Sequence, residues 1–503
     1  MKRLFLVIEL LILVLLAEGQ PNFSFDPTSR SAYEKITAFQ FDEARKIIAL
    51  AKSSDPDNNI PYWLDNNIDF LILLNSDDKK AYEALKENKK ARIERLENGD
   101  KQSPYYRYCL ADVYLQWAFC EGKFSEHLSA VADMRRAHNL FIENQKLYPD
   151  FPPNLVGLGV IHTLIGAIPE ELQWIRKILG YKGSVDVGLD ELRMAYQYSI
   201  SKPEFNFLEQ ESLFFLSFLT VMLNTEKDKT TDFVDSYLKS KKSDGRNLEP
   251  LQAYSMARLL LFTGRNDDAI KIIRSYRKGQ IPIYYLDYML GTAYLNKLSD
   301  SCLIYYNQYL RSYKGNFYIK STIQKMAWYY LLTGSETMYR QTLNRIASYP
   351  DSKSEPDQTA EKELKTGVAP NVLLLKARLL SDGGYYKLAL KVMLSTRQDE
   401  CCMDAKSSIE YSYRLGRIYE ETARREVAID QFKYTYTKGK EYPYYFAANS
   451  CIQIGKLYEE AGNYPEAEKW YQNCLDLNFT EYRKSLRYKA EFNLKRIRNR
   501  ITQ

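Results

Sequence analysis

Two stretches near the C-terminal end share a spacing that leaves few folds open. The first is "YSYRLGRIYEETARREVAIDQF" and the second is "SCIQIGKLYEEAGNYPEAEKWYQNCLDLN". In each, a glycine (Gly416, Gly455) is followed three residues later by tyrosine (Tyr419, Tyr458). Twelve residues after the glycine stands an alanine (Ala428, Ala467), and four beyond that an aromatic (Phe432, Tyr471). Three- and four-residue intervals place side chains on one helix face. The small residue lets a second helix approach the first, the alanine lets that second helix receive the next unit, and the aromatic fills the gap between neighbours. One such pair cannot bury its own apolar surface, so the pattern requires a stack.

These intervals are those of tetratricopeptide repeats. Weaker copies lie upstream, as "ARLLLFTGRNDDAIKII" from Ala257, "ARLLSDGGYYKLALKVM" from Ala377, and stretches carrying Leu290-Gly291 and Met326-Ala327. Near the start, Ala32, Phe41, Ala44 and Ile48 continue the spacing. No alternating pattern competes with it. The expected fold is all-α: a right-handed α-solenoid of tetratricopeptide-like helix pairs behind an atypical N-terminal helical domain. Longer helices are expected over Pro104–Glu121 and His127–Tyr148.

The first 19 residues combine Lys2-Arg3, an apolar run from Leu4 to Leu16, and the small-x-small site Ala17-Glu18-Gly19. This reads as a signal peptide, with an uncleaved N-terminal anchor as the alternative. Export to the periplasm or cell envelope of a Gram-negative bacterium follows as an expectation. The domain plan is 1–19 signal, 20–223 N-terminal helical domain, 224–250 linker, and 251–503 repeat array ending in a basic cap helix. A second polar stretch, Pro350–Pro370, also reads as a linker.

The most individual segment is "NLVGLGVIHTLIGAIPEELQWIRKILGYKGSVDVGLDEL", Asn154–Leu192. Its apolar run, Leu155–Ile168, is too short to span a bilayer. Gly157, Gly159 and Gly166 suit close helix contact. Pro169 can open a short helix with Trp174 beside its apolar face, and Gly180 can close it. Ser184 can cap the next helix, whose Val187, Leu189 and Leu192 turn inward. Packing accounts for the whole segment; the alternatives are an exposed arm carrying Trp174 against membrane or partner, and catalysis at His162. With Phe41-Asp42-Glu43-Ala44, the long-helix block and the degenerate repeats, the segment resembles the tetratricopeptide family that includes the inclusion-body clearance proteins and their relatives, here as an exported bacterial member. The resemblance centres on Pro169, Trp174, Gly180, Gly183 and Gly188. It implies a helical scaffold without catalysis.

Catalytic and metal-binding residue types are scarce. The chain has 3 histidines and 7 cysteines, with no CxxC, HExxH, GxSxG or P-loop. Cys451 and Cys474 read as buried thiols, and Cys401-Cys402 as a plain loop pair. No catalytic residue, cofactor or metal is assigned, and no enzyme activity is expected. A net charge of +6 over 503 residues gives no concentrated basic face for nucleic acid.

What stands out is 42 tyrosines. Some serve repeat packing. Others, Tyr284, Tyr285, Tyr288, Tyr305, Tyr306, Tyr309, Tyr444 and Tyr445, are candidates for a partner-binding surface, since tyrosine buries area at low entropic cost. The tail from Tyr482 carries an apolar stripe, Leu486, Ala490, Leu494 and Ile497, and a cationic face. That face reads as a solvated cap, with Arg487, Lys495 and Arg496 as the alternative contact to membrane or partner. The expected function is a non-enzymatic scaffold in the cell envelope that holds a protein or peptide in the solenoid groove. A glycan- or lipid-binding envelope protein is the alternative.

Overall fold

The structure, a computed structural model, describes residues 22–168, 176, 177, 180, 181, 183–223, 225–244, 247–352 and 354–501. The signal segment and Trp174 lie outside them. Among the described residues the only β feature is the isolated bridge between Asn22 and Asn58. No described helix is long and apolar enough to cross a membrane.

In chain order the helices are α1 (Pro27–Thr37), α2 (Phe41–Ser54), α3 (Ile60–Asn75), α4 (Lys79–Glu97), α5 (Pro104–Lys123), α6 (His127–Leu147), α7 (Asn154–Gly166), α8 (Val185–Ser201), α9 (Leu208–Leu223), α10 (Lys227–Asp244), α11 (Pro250–Phe262) and α12 (Asn266–Ser275). There follow α13 (Tyr285–Asn296), α14 (Ser301–Ser312), α15 (Ile319–Leu332), α16 (Glu336–Asn344), α17 (Glu355–Thr366), α18 (Val372–Asp382) and α19 (Tyr386–Met393). A single turn at Gln398–Cys401 precedes α20 (Ala405–Glu421), α21 (Arg425–Gly439), α22 (Tyr445–Glu460), α23 (Tyr464–Asp476) and α24 (Arg483–Ile501). Local chemistry sets many starts. Asp26 accepts from the Ser29 amide at 2.7 Å with Pro27 opening α1, and Asp404 accepts from the Ser407 amide at 2.9 Å at α20.

The chain divides into two compact units. The first comprises Met1–Phe262, Lys271–Asp287 and Arg311–Gly315; the second comprises Thr263–Ile270, Tyr288–Leu310 and Asn316–Gln503. The division therefore falls inside α12, α13 and α14 rather than at a polar connector. Residues 224–250, expected to be a linker, instead contain α10. Its Val234 and Tyr237 are buried, and the Tyr237 ring lies 6.3 Å from Tyr196. The lysines and serines that make the stretch look like a connector belong to the rest of an amphipathic helix.

In the first unit a buried polar ladder joins α3, α4, α5 and α6. The Trp63 indole donates to Asp112 at 2.6 Å, Asn66 to Gln116 at 2.7 Å, and the Trp117 indole to Asn66 at 2.9 Å. Lys89 on α4 ion-pairs with both Glu121 and Asp133. The apolar run of 155–168 is helical as far as Gly166 and mostly interior. A Cβ at Gly157 would fall 2.2 Å from the Phe141 ring, and one at Gly188 would fall 2.4 Å from the Gly159 carbonyl, so α7 and α8 touch backbone to backbone. Leu189 and Leu192 turn inward as expected, but Val187 is exposed and Val185 takes the buried position. Ser184 stands at the start of α8 without a side-chain cap bond.

The second unit holds the repeats. A Cβ at Gly455 would meet the Tyr471 ring at 2.5 Å and one at Gly416 the Phe432 ring at 2.7 Å. Ala428 and Ala467 have no solvent contact. Leu486, Ala490, Leu494 and Ile497 of α24 seal the last pair, the expected stripe of a cap helix. Pro350–Pro370, also expected to be a linker, carries α17. Its Asp357 is fully buried, accepting from the amides of Tyr318 and Ser321 at 2.8 Å each. Glu363 accepts from Gln324, Trp328 and Tyr339. The stretch is polar because its carboxylates tie down α15.

Candidate partner-binding surface

The tyrosines chosen from the sequence do not form one face. Tyr288, Tyr306 and Tyr309 are interior, which corrects their assignment to a binding surface. Tyr306 fills the space over Gly291 and donates to Thr292 at 3.2 Å; Tyr309 donates to the Phe317 carbonyl at 2.7 Å; the Tyr288 ring packs 4.9 Å from that of Tyr318. These are the rings that tetratricopeptide-like packing consumes. The half-buried remainder is dispersed. Tyr284 and Tyr285 belong to the first unit, where they pack 5.9 Å from Tyr313 and 6.2 Å from Tyr254. In the second unit Tyr305 stacks on Tyr294, and Tyr444 on Tyr442.

Tyr445 is different. It opens α22, lies 5.8 Å from the Tyr413 ring and 5.2 Å from Tyr482, and accepts from Arg414 at 3.2 Å. Arg414 on α20 and Arg378 on α18 act on it electrostatically, and a second group of cations stands on the same helices and on α24: Arg417 on α20, Lys456 on α22 and Lys489, one of the tail cations, on α24. A register explains them. Arg378, Arg417 and Lys456 each follow the small residue of their repeat, Ala377, Gly416 and Gly455. The small residue faces the partner helix, so its successor is turned about 100° away, onto another face of the pair. The same position repeats from helix to helix.

These side chains are partly withdrawn from solvent. Arg414, Arg417, Lys456 and Lys489 are half-buried. Burial, then Lys456 and Arg417, hold the Lys489 ammonium down to about 8, with Glu355 acting the other way. Burial also lowers Lys456, with Glu420 opposing and Arg417 and Arg496 adding to the effect. The arginines have acids of their own helices: Arg414 pairs with Glu410 at 2.8 Å, Arg417 with Glu420 at 3.0 Å, and Arg378 with Asp382 at 3.6 Å. Among the described residues, Lys456 and Lys489 have no carboxylate within ion-pair distance.

The tail cations divide. Arg487 donates to the Leu475 carbonyl at 2.6 Å and Arg496 pairs with Glu459 at 2.7 Å, so both fasten α24 to the array instead of facing outward; Lys495 is exposed. Cys109, Cys120, Cys302, Cys402, Cys451 and Cys474 are buried free thiols. Burial pushes Cys302 and Cys474 up to about 12, far from a reactive thiolate. His162, the one candidate catalytic residue weighed, lies in the first unit. Its Nδ1 is 2.7 Å from Glu191 and its Nε2 3.4 Å from Nε2 of His138.

A tetratricopeptide repeat family model matches residues 450–481, the span of most of α22 and α23. No curated protein matches the chain. Solved structures that match include yeast Tom70, at 14% identity over 86% of this chain and 96% of that one, with a TM-score of 0.22. At that score the likeness carries no argument. The fold is all-helical with at least one tetratricopeptide repeat, an architecture of protein-interaction scaffolds.

Proposed function

We propose that the chain is a non-enzymatic scaffold that binds an acidic peptide segment of a partner protein on the half-buried cationic face of its second unit. Lys456 and Lys489 are the observation that carries this. Two ammonium groups on neighbouring helices are both disfavoured by burial and by nearby cations, Lys456 by Arg417 and Arg496 and Lys489 by Lys456 and Arg417; Glu420, Glu460 and Glu355 oppose this only in part, and an acidic ligand would supply the closer anion. Arg378, Arg414 and Arg417, each balanced by an acid of its own helix, add guanidinium donors, and the half-buried Tyr445 ring offers a flat wall against which a peptide backbone can lie. The apolar N-terminal segment Leu4–Leu16 supports placing this scaffold in the cell envelope.

The test is fluorescence anisotropy with a labelled glutamate- and aspartate-rich peptide against the full chain. Binding that weakens at least tenfold in Lys456→Glu/Lys489→Glu, and falls with added salt, is expected. Equal binding of the charge-reversed chain, or equal affinity for a lysine-rich peptide of the same length, overturns the proposal.

A further inference from the structure

The two histidines of the α6–α7 pair suggest a second site, in the first unit and independent of the cationic face. His138 on α6 and His162 on α7 point their Nε2 atoms at each other across 3.4 Å. A tetrahedral ion with metal–nitrogen bonds of about 2.0–2.1 Å separates two of its nitrogen ligands by roughly 3.3–3.4 Å. The pair therefore already has the spacing of two ligands of one ion. Glu191 on α8 lies 2.7 Å from the other ring nitrogen of His162. With Nδ1–H donating to that carboxylate, Nε2 of His162 carries the lone pair. Carboxylates hold metal-binding imidazoles in this way.

His138 adds an independent observation. It is 3% exposed, and its Nδ1 has no hydrogen-bond partner. If Nε2–H of His138 donates to His162, the Nδ1 lone pair is orphaned in the interior. If the proton sits on Nδ1 and His162 is neutral, two lone pairs meet at 3.4 Å, and if His162 is protonated the Nδ1–H of His138 still lacks an acceptor. Neither tautomer satisfies the ring. An ion between the Nε2 atoms uses both lone pairs, and the proton of His138 resides on Nδ1. An orphan at Nδ1 exists with or without the ion, so coordination creates no new loss there. Tyr181, its ring 3.8 Å from that of His138 and its hydroxyl bonded to Asn139, holds the imidazole from the side. Among the described residues no third His, Cys, Asp or Glu completes a ligand set. His162 and Glu191 keep 15% and 18% side-chain exposure, which leaves a path for water to fill the remaining positions.

We propose that His138 and His162 bind one divalent transition ion of the zinc–copper class, with Glu191 orienting His162 and water completing the coordination. The chain contains 3 histidines, and His127 is the third, so the assignment can be read cleanly.

The experiment is titration of the chelator-treated full chain with Zn²⁺ in competition with a chromogenic chelator. One equivalent is expected. His138→Ala and His162→Ala should each weaken it at least tenfold, Glu191→Gln about 10–100-fold, and His127→Ala should leave it unchanged. Stoichiometric binding that survives in a folded His162→Ala chain, or loss in His127→Ala alone, overturns the proposal. Should the histidine variants fail to fold, the unaltered chain still decides. One equivalent of Cu²⁺ must show electron-spin coupling to two imidazole nitrogens, and a spectrum without them refutes the site.

Discussion

Asp112 offers the sharpest test of how the first unit is held together. Its carboxyl is buried between α3 and α5, accepting from the Trp63 indole at 2.6 Å and the Gln116 amide at 2.7 Å. Burial pushes it up to about 7 from an ordinary value of 3.8, against the opposing bond from Trp63. Glu211 on α9 is also raised, by burial first and then by Asp112, against the opposing bond from Tyr33. An acid whose folded pKa is raised favours the fold only while protonated. Below the unfolded value both states hold the proton and the group has no effect. Above it the unfolded chain releases the proton and the folded chain does not, so stability falls until the folded pKa is passed. The window from 3.8 to about 7 is roughly three pH units, each about 1.4 kcal/mol, giving a loss on the order of 4 kcal/mol by neutrality. Asp112→Asn keeps an oxygen for Trp63 and Gln116 and carries no charge. It should match the parent near pH 4 and exceed it by several kcal/mol at pH 8. Urea unfolding followed by tryptophan emission, with Trp63 and Trp117 reporting on this unit, measures both chains from pH 4 to 8.5. A stability difference that does not vary with pH refutes the raised carboxyl.

Gly455→Val forces a side chain into the Tyr471 ring and should cost about 1–3 kcal/mol, read as a lowered Tm; an unchanged Tm means the helix pair is looser than the structure shows. Asp357→Ala strips the acceptor from the Tyr318 and Ser321 amides and from the Ser352 and Ser354 hydroxyls, and should cost about 3 kcal/mol or more in urea unfolding, with a neutral result refuting the long-range cap. Acidic-peptide affinity should hold up to pH 7 and fall as pH rises through about 8, where Lys489 loses its charge. In Lys489→Arg that loss should vanish, and anisotropy at pH 7 and 9 distinguishes the two.

How far the sequence discloses the molecule depends on whether a residue's role is local. Gly455, Ala467 and Tyr471 announce a helix pair because their spacing is itself the packing rule, and the stripe from Leu486 to Ile497 announces the cap for the same reason. Asp357 and Glu363 mislead. The α15 partners of Asp357 lie 36 and 39 residues away and the partners of Glu363 24 to 39, so a carboxylate that organises α15 looks like a solvated loop residue. Tyr306 misleads in the opposite direction, since an abundance of tyrosine resembles a binding face when many of the rings are spacers. The cations around Lys456 are legible by register. Arg378, Arg417 and Lys456 stand in one register position after the repeat's small residue, and superposing the repeats rather than scanning for basic runs brings them into one column.

The bond from Asp357 to the start of α15 also bears on how the chain is made. In a simple stack each pair can form once its predecessor has, and a growing polypeptide can add units as they emerge. Here α15 begins at Tyr318, a residue in the left-handed region at φ 59°, whose amide is satisfied by a side chain synthesised 39 residues later. Before α17 is present, the Tyr318 and Ser321 amides at that first turn lack this acceptor. A chain ending near residue 350 therefore holds α15 and α16 in full but not the acceptor that closes the first turn of α15, which makes α15 to α17 a single block completed only together.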